Sequence, residues 1–337
     1  MSHTKLQEEK KRNDPTENKV KRTSILKYSS KIVNGFKFLL FPKSRFELSK
    51  IKDIRKLHHK RRKRMKRWLK SPFTLFGVIL IFVIISLAIF GPWIAPYSFE
   101  EASSWSLYSW KPPSPEFPLG TTYAGGDVLS RAIYGVRTSL LIAFLSVIIS
   151  LIFGISLGMI AGFYGKWADS IIMRFMDIIL AFPGILFALA LLAILGSTFF
   201  YIVIILGVIG IPFYSRLVRS SVLKEKELDY IAAAKIAGAN NWRIMFRHIL
   251  PNTIQPVIIS MSFDIGRLMI SLVILSFLGF SDPRFINWGH DIYIARGHIW
   301  DAPWASFWPS VMILMSVIGF MIVGDGLRDA LDPKYWN

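Results

Sequence analysis

Two pairs of opposite charges lie within or beside apolar stretches of this chain. Asp264 and Arg267 are three residues apart, as are Arg174 and Asp177, so a helix would place the members of each pair on one face. Ionisable groups in hydrocarbon are costly and often mark a substrate path. Asp264 could contact a substrate amine, and Arg267 a substrate carboxylate. Alternatively, Asp264 and Arg267 only neutralise each other or contact a second chain. Arg174 and Asp177 would form a structural pair at the membrane edge or take part in gating.

Two prolines interrupt other apolar stretches. Pro183 and Pro212 lack a backbone N–H and would clash with the preceding helical turn, so each predicts a kink. Kinked membrane helices often line a cavity, although a kink can also be purely structural. The candidate residues of a translocation path are Asp177, Pro183, Asp264 and Arg267.

The motifs of several enzyme classes are missing from the sequence. It has no G-x-x-x-x-G-K-[ST] phosphate-binding loop and no H-E-x-x-H zinc motif. It contains no Cys, and its six His are not spaced as metal ligands. We therefore predict no catalytic residue, no metal site and no cofactor bound by this chain.

The candidate path residues must be positioned by helices that cross a membrane. Hydrophobic residues form 53% of the 337 residues, the mean hydropathy is +0.42, and the apolar residues are gathered into long runs. A helix of about 20 apolar residues crosses the hydrocarbon of a bilayer. The sequence predicts an all-α membrane protein with about six transmembrane helices. The predicted spans are Phe73–Ile94, Ser139–Phe163, Ile178–Leu195, Phe199–Tyr214, Ile254–Phe280 and Phe307–Val323.

The net charge of +19 is unevenly distributed. Residues 1–70 contain 24 Lys or Arg and 6 Asp or Glu, including the basic run His58–Lys70 directly before the first span. Such a run could bind nucleic acid, but its position favours a disordered cytoplasmic tail that contacts anionic lipid headgroups, with no nucleic acid as partner. The predicted domains are this tail, 1–70, and a transmembrane domain, 71–337.

Basic residues also predict the orientation, because Lys and Arg collect on the cytoplasmic side of membrane proteins. With the N-terminus inside, 35 of the 41 Lys and Arg fall on the cytoplasmic side and five on the outside. Both termini are then cytoplasmic. The outside segments are Ala95–Arg137, which ends with a short helix from Asp127, and Ser281–Pro303.

A short basic segment, 224–251, interrupts the apolar spans on the cytoplasmic side. It begins with carboxylates that favour a helix N-terminus, continues with strong helix formers and reaches Gly238, a helix stop. Asn240 or Asn241 can cap a second helix, which Pro251 ends. Its small side chains would let a cytosolic partner approach closely; the alternative is a hairpin packed on its own bundle. The candidate residues are Glu227, Asp229, Tyr230, Ala232, Ala233, Ala234, Gly238, Ala239, Leu250 and Pro251.

This segment resembles the cytoplasmic signature loop of ABC importer permeases: Glu-Ala-Ala, three residues, Gly, nine residues, then Ile-x-Leu-Pro. Ala232 replaces the Glu, for which Glu227 or Asp229 could supply a carboxylate, and His248 replaces the Ile. The stretch FRHILPN is similar to the dipeptide, oligopeptide and nickel branch of these permeases. The resemblance is to the C-type subunit and extends from about Lys66 to the C-terminus, through PLGTTYAGGDVLSRAIYGVRTSL, MRFMDIILAFPGILFALALLAILG, LSFLGF, APW and GDGLRDALDPK.

The resemblance implies a type I ABC importer permease fold in a subunit that is not itself an enzyme. The first short helix of 224–251 would be the coupling helix, seated in a groove of a cytosolic ATPase. The implied partners are a second homologous permease, two ATPase subunits that bind ATP and magnesium, and an extracytoplasmic substrate-binding protein that lands on the outside segments. The implied location is the inner or plasma membrane of a prokaryotic cell.

The implied function is ATP-driven import of dipeptides or oligopeptides, with nickel chelates, glutathione and oligosaccharides as open alternatives. An ion-coupled secondary transporter would be built from inverted repeats, and no repeat is visible. A membrane-anchored scaffold or nucleic-acid-binding protein would use the basic tail but leave the spans without a purpose. Neither of these two classes explains the segment 224–251.

Overall fold

The computed structural model describes residues 71–104 and 106–331, and the predicted tail over 1–70 lies outside them. The described part is predominantly helical, and its only β pairing is an isolated bridge between Thr121 and Asp127. The elements are α1 (Pro72–Ile94), α2 (Phe99–Ser103), α3 (Val128–Tyr164), α4 (Lys166–Leu180), α5 (Gly184–Leu195), α6 (Phe199–Glu225), α7 (Asp229–Ile236), α8 (Asn241–Arg243), a π-helical turn (Ile244–Ile249), α9 (Leu250–Phe277), α10 (Trp288–Ala295), a 3-10 turn (Arg296–His298) and α11 (Trp304–Leu331).

Five helices of the described part are long and apolar enough to cross a membrane: α1, α3, α6, α11 and the continuous helix Asn241–Phe277, which joins α8, the π turn and α9. The prediction of an all-α membrane protein is confirmed. The predicted third span, Ile178–Leu195, is wrong as a single helix. It consists of the end of α4 and all of α5, which are bent by 81° at a break that includes Pro183. The number of spans is six if this bent pair counts as one.

The two prolines have different effects on the backbone. Pro183 lies outside the helices and directly precedes α5, because its missing N–H and its ring prevent α4 from continuing through it. Pro212 is buried inside α6, which continues without a break to Glu225, eleven residues beyond the predicted end at Tyr214. Prolines are tolerated within membrane helices when neighbouring groups compensate for the lost backbone hydrogen bond.

Three glycines at four-residue intervals bring α3 into close contact with α6. They are Gly154, Gly158 and Gly162. A Cβ atom at Gly158 would lie 2.4 Å from the backbone carbonyl oxygen of Ser215, so this position has no room for a side chain. Small residues at this spacing allow the backbones of two membrane helices to approach each other, which increases van der Waals contact along their length.

Two serines of α3 add hydrogen bonds to the same interface. The Ser146 hydroxyl donates to the carbonyl oxygen of Val203 at 3.0 Å, and the Ser150 hydroxyl donates to that of Gly207 at 2.6 Å. Both serines are buried. Hydrogen bonds between helices add to membrane-helix association, because lipid supplies no competing donors.

The loops give the bundle two different ends. Residues 95–127 and 278–303 lie at one end, which we call the cap end. The helices α7 and α8 lie at the other, which we call the coupling end. At the cap end, the Asp127 carboxylate accepts hydrogen bonds from the backbone N–H and the hydroxyl of Ser130, at 2.8 and 2.7 Å, and thereby begins α3. The short helix predicted from Asp127 is therefore not a separate element but the first part of a 37-residue helix.

Gly158→Ala is expected to destabilise the protein by about 1–3 kcal/mol, the usual cost of overpacking, because the added methyl group forces α6 away from α3. Gly266→Ala is the control, since the nearest atom to an added Cβ there is 3.6 Å away. The measurement is the thermal-unfolding midpoint of the purified transporter in detergent. Equal midpoints for the two variants would contradict this account of the interface.

Candidate functional site

The candidate docking segment contains the eight-residue α7, which ends in a glycine turn. Gly238 has a φ of +77°, in the left-handed region that favours glycine. Its N–H donates to the carbonyl of Lys235, and the N–H of Ala239 donates to that of Ala234, both at 3.0 Å. These two bonds form a Schellman motif, which terminates the helix at the predicted residue.

One face of α7 is exposed and apolar. Ile236 is 88% exposed, and Ala232 and Ala233 are exposed beside it. Trp242 and Phe246 follow as an exposed parallel stack with ring centroids 5.0 Å apart. A group of exposed apolar side chains at one site is characteristic of an interaction surface.

The opposite face of α7 is anchored in the bundle. Ile231 is fully buried in an apolar cluster that includes Val218 of α6 and Ile244 of the π turn. Ala239 and Leu250, two of the predicted site residues, pack against the edge of this cluster. The segment therefore packs on its own bundle through one face and leaves the other face open.

Three polar side chains connect α7 to the spans before and after it. The Tyr230 hydroxyl donates to the carboxylate of Glu225 at the end of α6, and the Asn252 amide of α9 donates to Glu225 and to the Tyr230 oxygen, both at 2.9 Å. Burial and the Glu225 carboxylate raise the pKa of Tyr230 to about 12, so this hydroxyl remains a donor at neutral pH. Glu227 and Asp229, which we predicted as substitutes for the missing carboxylate, are exposed and lie outside this network.

The second helix does not end at Pro251, contrary to the prediction. It begins at the cap Asn240, whose side chain accepts a hydrogen bond from the N–H of Arg243 at 2.8 Å, and continues into α9. The N–H of Leu250 bonds to the carbonyl of Met245, five residues earlier. Proline in a regular α-helix clashes with the carbonyl four residues before it, and the wider π turn directly preceding Pro251 relieves that clash.

Asp264 and Arg267 line a cavity of about 380 Å³ inside the bundle. The Arg267 Nη2 and Asp264 Oδ1 atoms are 2.9 Å apart, so the self-neutralising pair is formed. The Asp264 side chain is 9% exposed, whereas that of Arg267 is 60% exposed and keeps donors available. Gly184, the residue after Pro183, also lines it, so the break in the third span helps to shape this cavity.

Asp264 and Arg267 are the candidate path residues that line this cavity, whereas Pro183 and Asp177 are not among its lining residues. The Asp177 carboxylate is 2.5 Å from the guanidinium of Arg216 in α6, and both side chains are exposed. The expected pairing with Arg174 along one helix face is thus replaced by a contact between two helices. A second pair, Arg219 with Asp169, joins α6 and α4 in the same way with two contacts of 2.5 Å.

At the cap end, the two predicted outside segments form one folded surface around a cavity of about 330 Å³. Arg131 and Asp291 form a largely buried ion pair of 2.5 Å beside this cavity. Trp110 stacks on His298 across the two segments, with ring centroids 4.6 Å apart. Burial lowers the pKa of His290, which lines the cavity, and so favours its neutral form.

Comparison with known proteins places this architecture in a family. The family described as "Binding-protein-dependent transport system inner membrane component" matches residues 154–337, more than half of the chain. The chain belongs to this permease family. The "N-terminal TM domain of oligopeptide transport permease C" matches residues 62–113, so the two matches together include five of the predicted spans and part of the second.

Individual permeases align with most of the chain. The "Dipeptide transport system permease protein DppC" of Alkalihalophilus pseudofirmus is 40% identical over 81% of this chain and 90% of its own length. The "Glutathione transport system permease protein GsiD" of Pectobacterium atrosepticum is 38% identical over 80% and 89%, and the "Di/tripeptide transport system permease protein DppC" of Pseudomonas aeruginosa is 41% identical over 78% and 88%. An inward-facing MetNI methionine ABC transporter structure aligns with a TM-score of 0.49 at 18% identity, over 60% of this chain and 97% of that chain.

Three residues that anchor this permease's candidate docking segment were missing from the predicted site. Ile231 lies between the predicted Tyr230 and Ala232, and its large apolar side chain beside three alanines was the available signal. Glu225 and Asn252 gave no such signal, because they lie at the ends of two spans 27 residues apart and meet only in the folded protein.

Tyr230→Phe is expected to loosen α7, because it removes the donor to Glu225 and leaves the Asn252 amide with one acceptor fewer. A loss of about 1 kcal/mol is typical of one hydrogen bond, and it corresponds to roughly fivefold faster amide exchange by local opening in residues 229–239. Tyr164→Phe, an exposed tyrosine elsewhere at the coupling end, is the control. Unchanged exchange in Tyr230→Phe would show that the network does not hold the segment.

Proposed function

We propose that this permease subunit imports dipeptides or oligopeptides in an ATP-driven transporter. The dipeptide and di/tripeptide names of two relatives at 40% and 41% identity support this substrate class, as does the match of residues 62–113 to oligopeptide permeases. The glutathione name of the third relative supports glutathione, itself a tripeptide, as a second candidate.

The observation that carries the coupling proposal is the exposed apolar face of α7. In the proposed assembly, this face seats in a groove of a cytosolic ATPase subunit, with Ile236 as its largest contact. The small side chains of Ala232 and Ala233 let the groove wall approach the helix backbone. Because Ala232 stands where the family pattern has Glu, this contact lacks that carboxylate. Glu225 instead holds the helix from the bundle side, through its hydrogen bond with Tyr230.

Movement of the docked α7 would reach the spans through three connections. Ile231 would transmit the movement to the buried apolar cluster, and Tyr230 would transmit it to the end of α6. The continuous helix after Asn240 would transmit it to α9. Because α9 carries Asp264 and Arg267, a displacement of the coupling end alters the cavity that these residues line. This is how ATP-driven closure of the ATPases would bias the permease between inward- and outward-facing states.

The cavity beside Asp264 and Arg267 is the proposed section of the translocation path. A peptide carries an amine and a carboxylate, and the pair offers one opposite charge to each. The exposed guanidinium of Arg267 is the more accessible partner. Asp177, which lies away from this cavity, is proposed as a contact between α4 and α6 at the edge of the path.

The complete transporter would contain a second homologous permease, two cytosolic ATPase subunits and an extracytoplasmic substrate-binding protein. ATP and magnesium would bind to the ATPases, so this chain needs no cofactor and is not itself an enzyme. The coupling end and both termini would face the cytoplasm of a prokaryotic cell, and the cap end would receive the binding protein. The ratio of 35 to five Lys and Arg supports this orientation, with the basic tail against anionic lipid.

Ile236→Arg is expected to prevent assembly with the ATPase subunits, because it places a charge in the apolar contact without disturbing the bundle. Ile236→Met keeps the contact apolar and should assemble normally. The readouts are co-purification of the ATPases and substrate-stimulated ATP hydrolysis in the reconstituted complex. Normal assembly and stimulation in Ile236→Arg would contradict the docking role of α7.

Uptake of a radiolabelled dipeptide into proteoliposomes that contain the complete transporter tests the substrate and the path. The double variant Asp264→Asn/Arg267→Gln removes both charges together, so neither remains unpaired. We expect its uptake to fall about tenfold, the factor for a loss of about 1.4 kcal/mol. Normal uptake in this variant would exclude the pair from the path. Import of glutathione without import of dipeptides in the wild type would overturn the proposed substrate class.

A further inference from the structure

An apolar groove of about 490 Å³ lies between α1, α3, α9 and α11, outside the cavity proposed as the path. Ile85 and Ile89 of α1 and Leu141 and Phe144 of α3 line it, and all four are about half exposed. The contribution of α9 is Ile265, whereas Asp264 and Arg267 line the other cavity. The groove and the proposed path therefore use different faces of α9.

Arg137 is the one charged residue among the groove's lining residues. Its side chain is exposed, and within 71–104 and 106–331 no carboxylate forms an ion pair with it. By contrast, Arg131, one and a half turns earlier in the same helix, is paired with Asp291. A guanidinium beside a membrane needs an anionic partner or water, because an unpaired charge in hydrocarbon is costly.

The depth of Arg137 follows from its position along α3. Gly91, near the cap end of α1, lies against Ile133, and Arg137 is one helical turn, about 6 Å, further from the cap end. Side chains on a helix tilt towards its N-terminus, which for α3 is the cap end, so the guanidinium extends back towards the membrane interface. Leu141 and Phe144 lie one and two turns deeper.

We propose that this groove binds one phospholipid molecule, with its phosphate on Arg137 and an acyl chain along Leu141 and Phe144. Guanidinium groups bind phosphate oxygens through paired hydrogen bonds. The order along the groove, a cation near the interface and then a purely apolar lining, is the order of phosphate and acyl chain in a lipid. A second permease helix in this groove would leave the Arg137 guanidinium unpaired unless it also brought a carboxylate to it.

The test is how strongly the complete transporter, in nanodiscs, immobilises a spin-labelled phospholipid. Arg137→Gln removes the charge, and Ala88→Phe fills the groove and leaves the charge in place. Arg296→Gln is the matched control, because it removes an exposed arginine at the cap end outside the groove. The probe is spin-labelled phosphatidylglycerol in nanodiscs, and the immobilised fraction of the label reports binding.

We expect the immobilised fraction to reflect about fivefold weaker binding in Arg137→Gln, because one arginine near an anionic lipid contributes about 1 kcal/mol. Ala88→Phe should lose binding to a similar extent, and Arg296→Gln should bind like the wild type. Wild-type binding in both groove variants would overturn the proposal. A crosslink from the variant Leu141→Cys to the second permease would also overturn it, since it would show that protein fills the groove.

Discussion

The close contact between α3 and α6 is the constraint on which the rest of the structure depends. The three glycines at positions 154, 158 and 162 remove the side chains that would separate the two helices, and the serine hydroxyls then reach the opposite backbone. Lys226 continues the contact at the coupling end, where its ammonium group donates to the carbonyl of Gly162 at 3.1 Å. Both the cavity beside Asp264 and the anchoring cluster of α7 are built against this pair of helices.

The candidate docking segment is anchored in the bundle on one side and exposed on the other, a combination that suits the proposed transmission of movement. A helix of eight residues is too short to be stable in water by itself. Here the Schellman turn at Gly238, the buried Ile231 and the Tyr230 network fix it to the spans. The exposed alanines then add contact surface without adding side-chain entropy that binding would have to remove.

The sequence predicted those features that one residue type or one apolar run determines by itself. Apolar runs located the spans, and the conformational freedom of Gly238 located the turn. Proline was not decisive in this way. Pro183 lies within a true break between two helices, whereas Pro251 lies within a helix that continues because the preceding turn widens. Whether a turn can widen depends on tertiary packing, and so does the meeting of Glu225 with Asn252. Neither outcome is encoded in local periodicity.

The ion pair of Asp264 and Arg267 has an electrical consequence for a helix that moves within a membrane. Carrying one elementary charge through the field of a membrane held at 100 mV requires about 2.3 kcal/mol. Both members of the pair lie on α9 within one turn of each other, so they move together as a dipole with no net charge. A displacement of α9 along the membrane normal would therefore carry no net charge from this pair through the field.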